Sequence, residues 1–149
     1  LSAGEIHHIG QMCGNGWRKV FNVYAKVLFA LDPKLFNYTK KSESWQKYRD
    51  EYLLQTQSKT ALLFSSPVLN SNENTLHIIC GRTYAFQLQD CEKLNIQLTW
   101  INDEFAINQE HNLVVCPYFD YRQLSNIKIE KLAENLNAFK HKKAPEGAF

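Results

Sequence analysis

The sequence predicts an α/β domain of three layers, in which a central, mainly parallel sheet of about four strands follows two N-terminal helices. Apolar residues recur at helical spacing near both ends of the chain. Between these segments, short apolar runs that end in turn residues alternate with further helical patterns. An alternation of strands and helices is typical of a sheet that is covered by helices on both faces.

Length and composition fit a single domain over residues 1–149, in which we expect 1–14 and 140–149 to be flexible ends. Seventeen lysines and arginines against fifteen acidic residues leave a formal charge of only +2, which indicates neither a nucleic-acid nor a membrane partner. No segment approaches the ~20 apolar residues of a membrane span, and no signal-peptide pattern is present. We therefore expect a cytoplasmic protein without a membrane partner, while the sequence leaves the oligomeric state open.

The first predicted helix carries the clearest apolar stripe. Asn15 can cap its start, and Asp32-Pro33 ends it. The residues of the stripe share one helical face: Trp17, Val20, Phe21, Tyr24, Val27, Leu28 and Leu31. We expect this helix to be largely buried.

Three further helices are predicted from the same period. One covers Ser44–Gln55, and the next begins at Arg82 or Thr83. The last is capped by Ser125 or Asn126, and its apolar face continues to Phe139.

Short apolar runs predict the strands, the fourth of which also fits a loop: Thr60–Phe64, Thr75–Cys80, Gln97–Ile101, Glu104–Ile107 and Leu113–Cys116. About ten residues separate the first two, which is too few for a helical crossover. Those two strands are therefore either an antiparallel pair or not neighbours in the sheet.

Two of the four arginines follow the turns that end strands. Arg82 comes after the strand that ends at Cys80, and Arg122 comes after the strand that ends at Cys116. If the two strands are parallel, both side chains lie at the carboxyl edge of the sheet, where open α/β folds bind ligands. A guanidinium group pairs well with carboxylate or phosphate there. Alternatively, each arginine caps the sheet or pairs with a nearby acid such as Asp120 or Glu104.

The loop Tyr118-Phe119-Asp120-Tyr121 places three rings around one carboxylate. Such surroundings can raise the pKa of a carboxyl group, which makes Asp120 a weak candidate for a general acid or base. The rings can equally stack a flat heterocycle, or they can plug the end of the core. We predict one concave ligand-binding surface formed by the residues of these loops: Arg82, Tyr84, Asp120, Tyr121 and Arg122, with Ser65 and Ser66 near its rim.

The four cysteines show neither C-x-x-C pairing nor zinc-type spacing, so we expect four free thiols, no metal and no cofactor. The five histidines also lack the spacing of metal ligands.

Two segments of the back half resemble the uracil-DNA glycosylase superfamily. The stretch His77-Ile-Ile-Cys-Gly-Arg-Thr-Tyr-Ala85 is similar to a strand, turn and helix of that family, and Leu113–Asn126 stands in the place of its late strand and DNA-intercalating loop. The resemblance implies an α/β fold. The chain has Cys116-Pro117-Tyr118 where the family has His-Pro-Ser, and Phe64-Ser-Ser-Pro-Val68 where the family has its water-activating segment. The catalytic residues of the family are therefore absent from the matching positions.

From these observations we expect a ligand-binding domain of an uncharacterised bacterial family, which binds a nucleotide or nucleic acid and has no recognisable catalytic residues. Two alternatives stay open. One is a divergent hydrolase similar to uracil-DNA glycosylase, and the other is a protein-interaction module.

Overall fold

Among the described residues, strands occur only in the second half of the chain. The computed structural model describes residues 5–13, 15–39, 42–55, 58–69 and 75–147. These residues form five helices and four strands: α1 (Glu5–Cys13), α2 (Asn15–Ala30), α3 (Trp45–Glu51), β1 (His77–Cys80), α4 (Arg82–Asp90), β2 (Thr99–Trp100), β3 (Ala106–Asn108), β4 (Leu113–Cys116) and α5 (Asn126–Gly147).

The chain falls into two compact units. Unit 1 contains Leu1–Leu62 and Phe119–Ala133, and unit 2 contains Leu63–Tyr118 and Glu134–Phe149. The expectations of one domain, of three layers and of flexible ends stay predictions. Helix α1 (Glu5–Cys13) was not predicted, because this segment was expected to belong to a flexible end.

In unit 1, α2 confirms the first predicted helix. Its buried residues lie on more than one side of the helix: Val20, Phe21, Asn22, Val23, Ala25, Val27 and Leu28. Both α1 and α3 pack against this helix. The helix ends where predicted, because Pro33 disfavours helical backbone before it and the Asp32 carboxylate accepts a hydrogen bond from the backbone N–H of Lys34 at 2.9 Å.

Helix α3 begins after Ser44, whose hydroxyl oxygen accepts a hydrogen bond from the backbone N–H of Lys47 at 3.2 Å. It is shorter than the predicted Ser44–Gln55, since the chain turns after Glu51 and reaches a positive φ of 61° at Leu54. The ring of Tyr48 is buried in unit 1 and packs near those of Phe29 and Tyr52.

The sheet of unit 2 has the strand order β1-β4-β3-β2. Strands β1 and β4 are parallel, with Cys80 opposite Cys116. The pairs β4–β3 and β3–β2 are antiparallel, so the prediction of a mainly parallel sheet is wrong. The physical reason lies in the connections, residues 101–105 and 109–112, which are too short for a crossover and allow only hairpins.

The predicted strand Thr60–Phe64 is also wrong, because this segment is irregular and joins no strand. Local hydrogen bonds hold it instead. The Thr60 hydroxyl accepts the backbone N–H of Leu54 at 2.9 Å and lies 2.8 Å from the Ser58 hydroxyl. The side chains of Leu63 and Phe64 are exposed. The apolar run therefore does not become part of the core.

The remaining predicted elements are confirmed with shifted ends. The segment Glu104–Ile107, which fitted a strand or a loop, contributes to strand β3. All four residues of β4 are buried, and the core around them includes Ile79, Ala85 and Leu88. Helix α5 continues to Gly147, beyond the predicted end at Phe139.

Replacing Phe21 with alanine tests the core of unit 1. Because the ring is only 3% exposed, Phe21→Ala should lower the free energy of unfolding by about 3–5 kcal/mol, as measured by urea denaturation. The control is Met12→Ala in α1, where the side chain is 72% exposed and the change should stay within about 0.5 kcal/mol. A loss well under about 1 kcal/mol for Phe21→Ala would contradict the assignment of this face to the core.

The buried phenol of Tyr48 should make the free energy of unfolding fall as the pH becomes alkaline. Burial raises the pKa of its phenol from 10.0 to about 12. As pH rises through that window, the unfolded chain releases a proton that the folded chain retains, so the free energy of unfolding falls. In urea denaturation at about pH 9 and about pH 11, Tyr48→Phe should therefore lose less stability than the wild type.

Tyr118→Phe is the control for that comparison, because the Tyr118 ring is exposed. Its stability should fall between the two pH values as steeply as that of the wild type. If the free energy of unfolding falls equally between the two pH values in Tyr48→Phe and Tyr118→Phe, Tyr48 is not the cause of the pH dependence.

Candidate functional site

The residues predicted to form the ligand-binding surface are divided between the two units. Ser65, Ser66, Arg82 and Tyr84 belong to unit 2, and Asp120, Tyr121 and Arg122 belong to unit 1. The prediction that they share one surface stays a prediction, and each group is described within its own unit.

In unit 2, Arg82 is the first residue of α4 and rests on aromatic rings. Its guanidinium carbon lies 5.5 Å from the ring centroid of Phe86 and 5.9 Å from that of Trp100. The two rings stack on each other at 5.2 Å. Arg82 Nη1 also donates to the backbone carbonyl of Asp103 at 3.3 Å. Arg82 therefore pairs with rings and a carbonyl oxygen.

The other predicted residues of unit 2 are near the surface. Tyr84 and Ser65 are exposed, and Ser66 is half-buried. Gly81 joins β1 to α4 with a φ of 114°, a conformation that a residue with a Cβ rarely adopts.

In unit 1, Asp120 shapes the loop before α5. Its carboxylate accepts the backbone N–H of Arg122 at 2.9 Å, and its carbonyl accepts the N–H groups of Gln123 and Leu124. This is the turn geometry that aspartate commonly supports. Phe119 is buried and meets Tyr24 edge-on at 5.8 Å, so this ring of the loop plugs the core of unit 1.

Tyr121 is the predicted residue that belongs to a larger polar arrangement. With Asn22, Lys26, Trp45 and Arg49 it forms what we call the Lys26 cluster. The Nζ atom of Lys26 lies 5.1 Å from the ring centroid of Trp45 and 5.2 Å from that of Tyr121. At these distances an ammonium group is attracted to both rings.

The amide of Asn22 links Tyr121 to Arg49. Its Oδ1 accepts a hydrogen bond from Arg49 Nη1 at 2.6 Å, and its Nδ2 donates to the Tyr121 hydroxyl oxygen at 2.6 Å. Asn22 is only 4% exposed, and both the oxygen and the nitrogen of this buried amide have a hydrogen-bond partner.

Arg49 is held from a second side by Asp50. Its Nε and Nη2 donate to the two carboxylate oxygens at 2.8 and 3.1 Å, a bidentate pair. The guanidinium carbon lies 5.5 Å from the Trp45 ring centroid. Asp50 therefore both neutralises Arg49 and fixes its orientation.

Lys26 is the cation of this cluster without a carboxylate partner. The ion pairs Lys47–Glu43 and Arg49–Asp50 lie on α3 or directly before it, and neither involves Lys26. Because Asp50 offsets the charge of Arg49, the cluster retains the positive charge of Lys26. A cation between two ring faces can attract an anionic ligand that also has a flat, apolar part.

Local sequence explains how the helices supply these side chains. Asn22 and Lys26 are four residues apart on α2, and Trp45 and Arg49 are four residues apart on α3, so each pair shares one helical face. None of these four residues was predicted, because the ligand-binding surface was expected in the loops that follow strands. The available signal was the polar pair at positions 22 and 26 within the otherwise apolar run from Val20 to Ala30.

Other kinds of site are not seen in the part of the chain that the structure describes. It contains no group of three metal-ligating side chains and no helix with the length and apolar character to cross a membrane. All four cysteines are free thiols. Burial and the neighbouring Cys80 thiol raise the pKa of Cys116 well above its ordinary value.

Among the comparisons with other proteins, one gives a match, and it is to a protein family. No curated protein and no solved structure matches the chain. Residues 1–137 match the model of a family of unknown function, DUF6942. Because that match spans most of the 149 residues, the chain belongs to this family.

Proposed function

We propose that the protein is a non-catalytic binding domain and that its Lys26 cluster holds a nucleotide or a single-stranded nucleic acid. The observation that carries the proposal is the position of the Lys26 ammonium group, between the rings of Trp45 and Tyr121 and without a carboxylate partner among the described residues. Proteins that bind single strands combine cations with aromatic faces in this way.

The accessible surface of the cluster supports the proposal. Tyr121 is 42% exposed, and Trp45 and Lys26 are half-buried, so ring surface and charge are both within reach of a ligand. A phosphate group can pair with Lys26, while a base stacks on a neighbouring ring. The arrangement is local, which is compatible with a total formal charge of only +2.

The surroundings of the Asp120 carboxylate and of the Cys116 thiol favour binding over hydrolysis. The carboxylate of Asp120 accepts the backbone N–H of Arg122 and stabilises a turn. The Cys116 thiol is buried, and its raised pKa keeps it protonated, whereas a nucleophilic cysteine needs the thiolate. Neither group offers the positioned base that a divergent glycosylase-like hydrolase would require.

The proposal predicts that Lys26→Ala weakens the binding of a single-stranded oligodeoxynucleotide. Measured by fluorescence anisotropy of a labelled strand, Kd should rise by about tenfold, because one phosphate contact is lost. The slope of log Kd against log salt concentration should also become smaller by about 1.

Lys47→Ala is the matched control. It removes the same charge from α3, but Lys47 is exposed and pairs with Glu43 outside the cluster, so Kd should change by no more than about twofold. Equal losses in the two variants would contradict a specific role of Lys26. No binding by the wild type would contradict the proposal and favour a protein-interaction module. Release of uracil from a uracil-containing strand would identify a hydrolase.

A further inference from the structure

We infer that the hydroxyl of Tyr121 is a hydrogen-bond donor reserved for the ligand, so that the Lys26 cluster recognises a phosphate oxygen of a nucleic-acid strand. This inference rests on the proposed function and specifies which part of the ligand the cluster contacts. It follows from the direction of the hydrogen bonds that pass through Asn22.

The first step concerns Arg49. A guanidinium group has only donors, so the atom of Asn22 that faces Arg49 Nη1 at 2.6 Å must be the amide oxygen. Arg49 cannot turn away easily, because Asp50 holds its Nε and Nη2 at 2.8 and 3.1 Å. The orientation of the Asn22 amide is thereby fixed.

The second step concerns Tyr121. With the oxygen of Asn22 directed at Arg49, the group that faces the Tyr121 hydroxyl at 2.6 Å is the NH₂ of the amide. An amide NH₂ can donate but not accept, so the phenol oxygen is the acceptor. The proton of the phenol consequently points elsewhere, and the structure shows no second hydrogen bond of Tyr121 within its described residues.

The third step concerns the ligand. The cluster presents two unused donors, the Lys26 ammonium group and the Tyr121 O–H, and Lys26 lies 5.2 Å from the centroid of the Tyr121 ring. Two donors in one cluster, one of them positively charged, fit an acceptor-only anionic group. Phosphate oxygens of a nucleic-acid backbone have this character, whereas the edges of most bases present donors as well as acceptors.

Tyr121→Phe tests the inference, because it keeps the ring while it removes the O–H donor. It also removes the acceptor of the Asn22 Nδ2 hydrogen bond, and a loss that came from this change would affect both of the following probes alike. The probes are an oligodeoxynucleotide and a peptide nucleic acid of the same base sequence, whose backbone carries no phosphate. Tyr121→Phe should raise Kd for the DNA strand by about three- to tenfold and leave Kd for the peptide nucleic acid unchanged. Tyr121→Ala should weaken both, since the ring is lost as well.

Tyr118→Phe, which removes an exposed phenol of the same loop, is the control and should bind DNA as the wild type does. Unfolding curves of each variant establish that it is folded. If the wild type binds DNA but not the peptide nucleic acid, the cluster recognises phosphate, and the inference then requires that Tyr121→Phe weaken DNA binding. Unchanged DNA binding by Tyr121→Phe, or equal losses for both probes, overturns the inference and leaves the proposed function standing. No DNA binding by the wild type overturns both.

Discussion

Strand β4 is the element on which unit 2 depends. All four of its residues are buried, and it lies between a parallel neighbour and an antiparallel one. Its last carbonyl, that of Cys116, accepts the backbone N–H of Gly81 at 2.7 Å. The hydrogen bond holds the point at which the chain leaves β1, turns through the positive φ of Gly81 and begins α4. A strand buried on both faces thus sets the direction of both the sheet and the helix that packs on it.

Local patterns predicted most individual elements of the fold. Helix α2 and strand β4 were found in place, because each is encoded by side chains within its own segment. The relative direction of the strands was not predicted correctly, because it depends on the length of the segments that join them. The connections 101–105 and 109–112 are visible in the sequence as short, and the same argument from length that was applied to the first two predicted strands would have identified two hairpins. Thr60–Phe64 was predicted as a strand from its apolar residues alone, but an apolar run becomes a strand only where a neighbouring strand is available to pair with it.

The site was predicted only in part. Tyr121 was named from the aromatic loop, and it does take part in the Lys26 cluster. Asn22, Lys26, Trp45 and Arg49 come from two helices whose mutual packing no local pattern specifies. Asp120 attracted attention as a carboxylate among rings, yet the structure uses it to form a turn. Aspartate is common in turns as well as in catalytic sites, and the sequence alone does not distinguish the two roles.

The edge of the sheet at β2 has a consequence for how copies of the protein behave in solution. This outermost strand pairs through only two residues, Thr99 and Trp100. The Arg82 guanidinium lies beside the Trp100 ring and brings a positive charge close to the edge. Exposed strands invite other chains to extend the ladder, and proteins counter this with short edges and nearby charge. Both features are present here, so this side of the sheet is poorly suited to edge-to-edge aggregation.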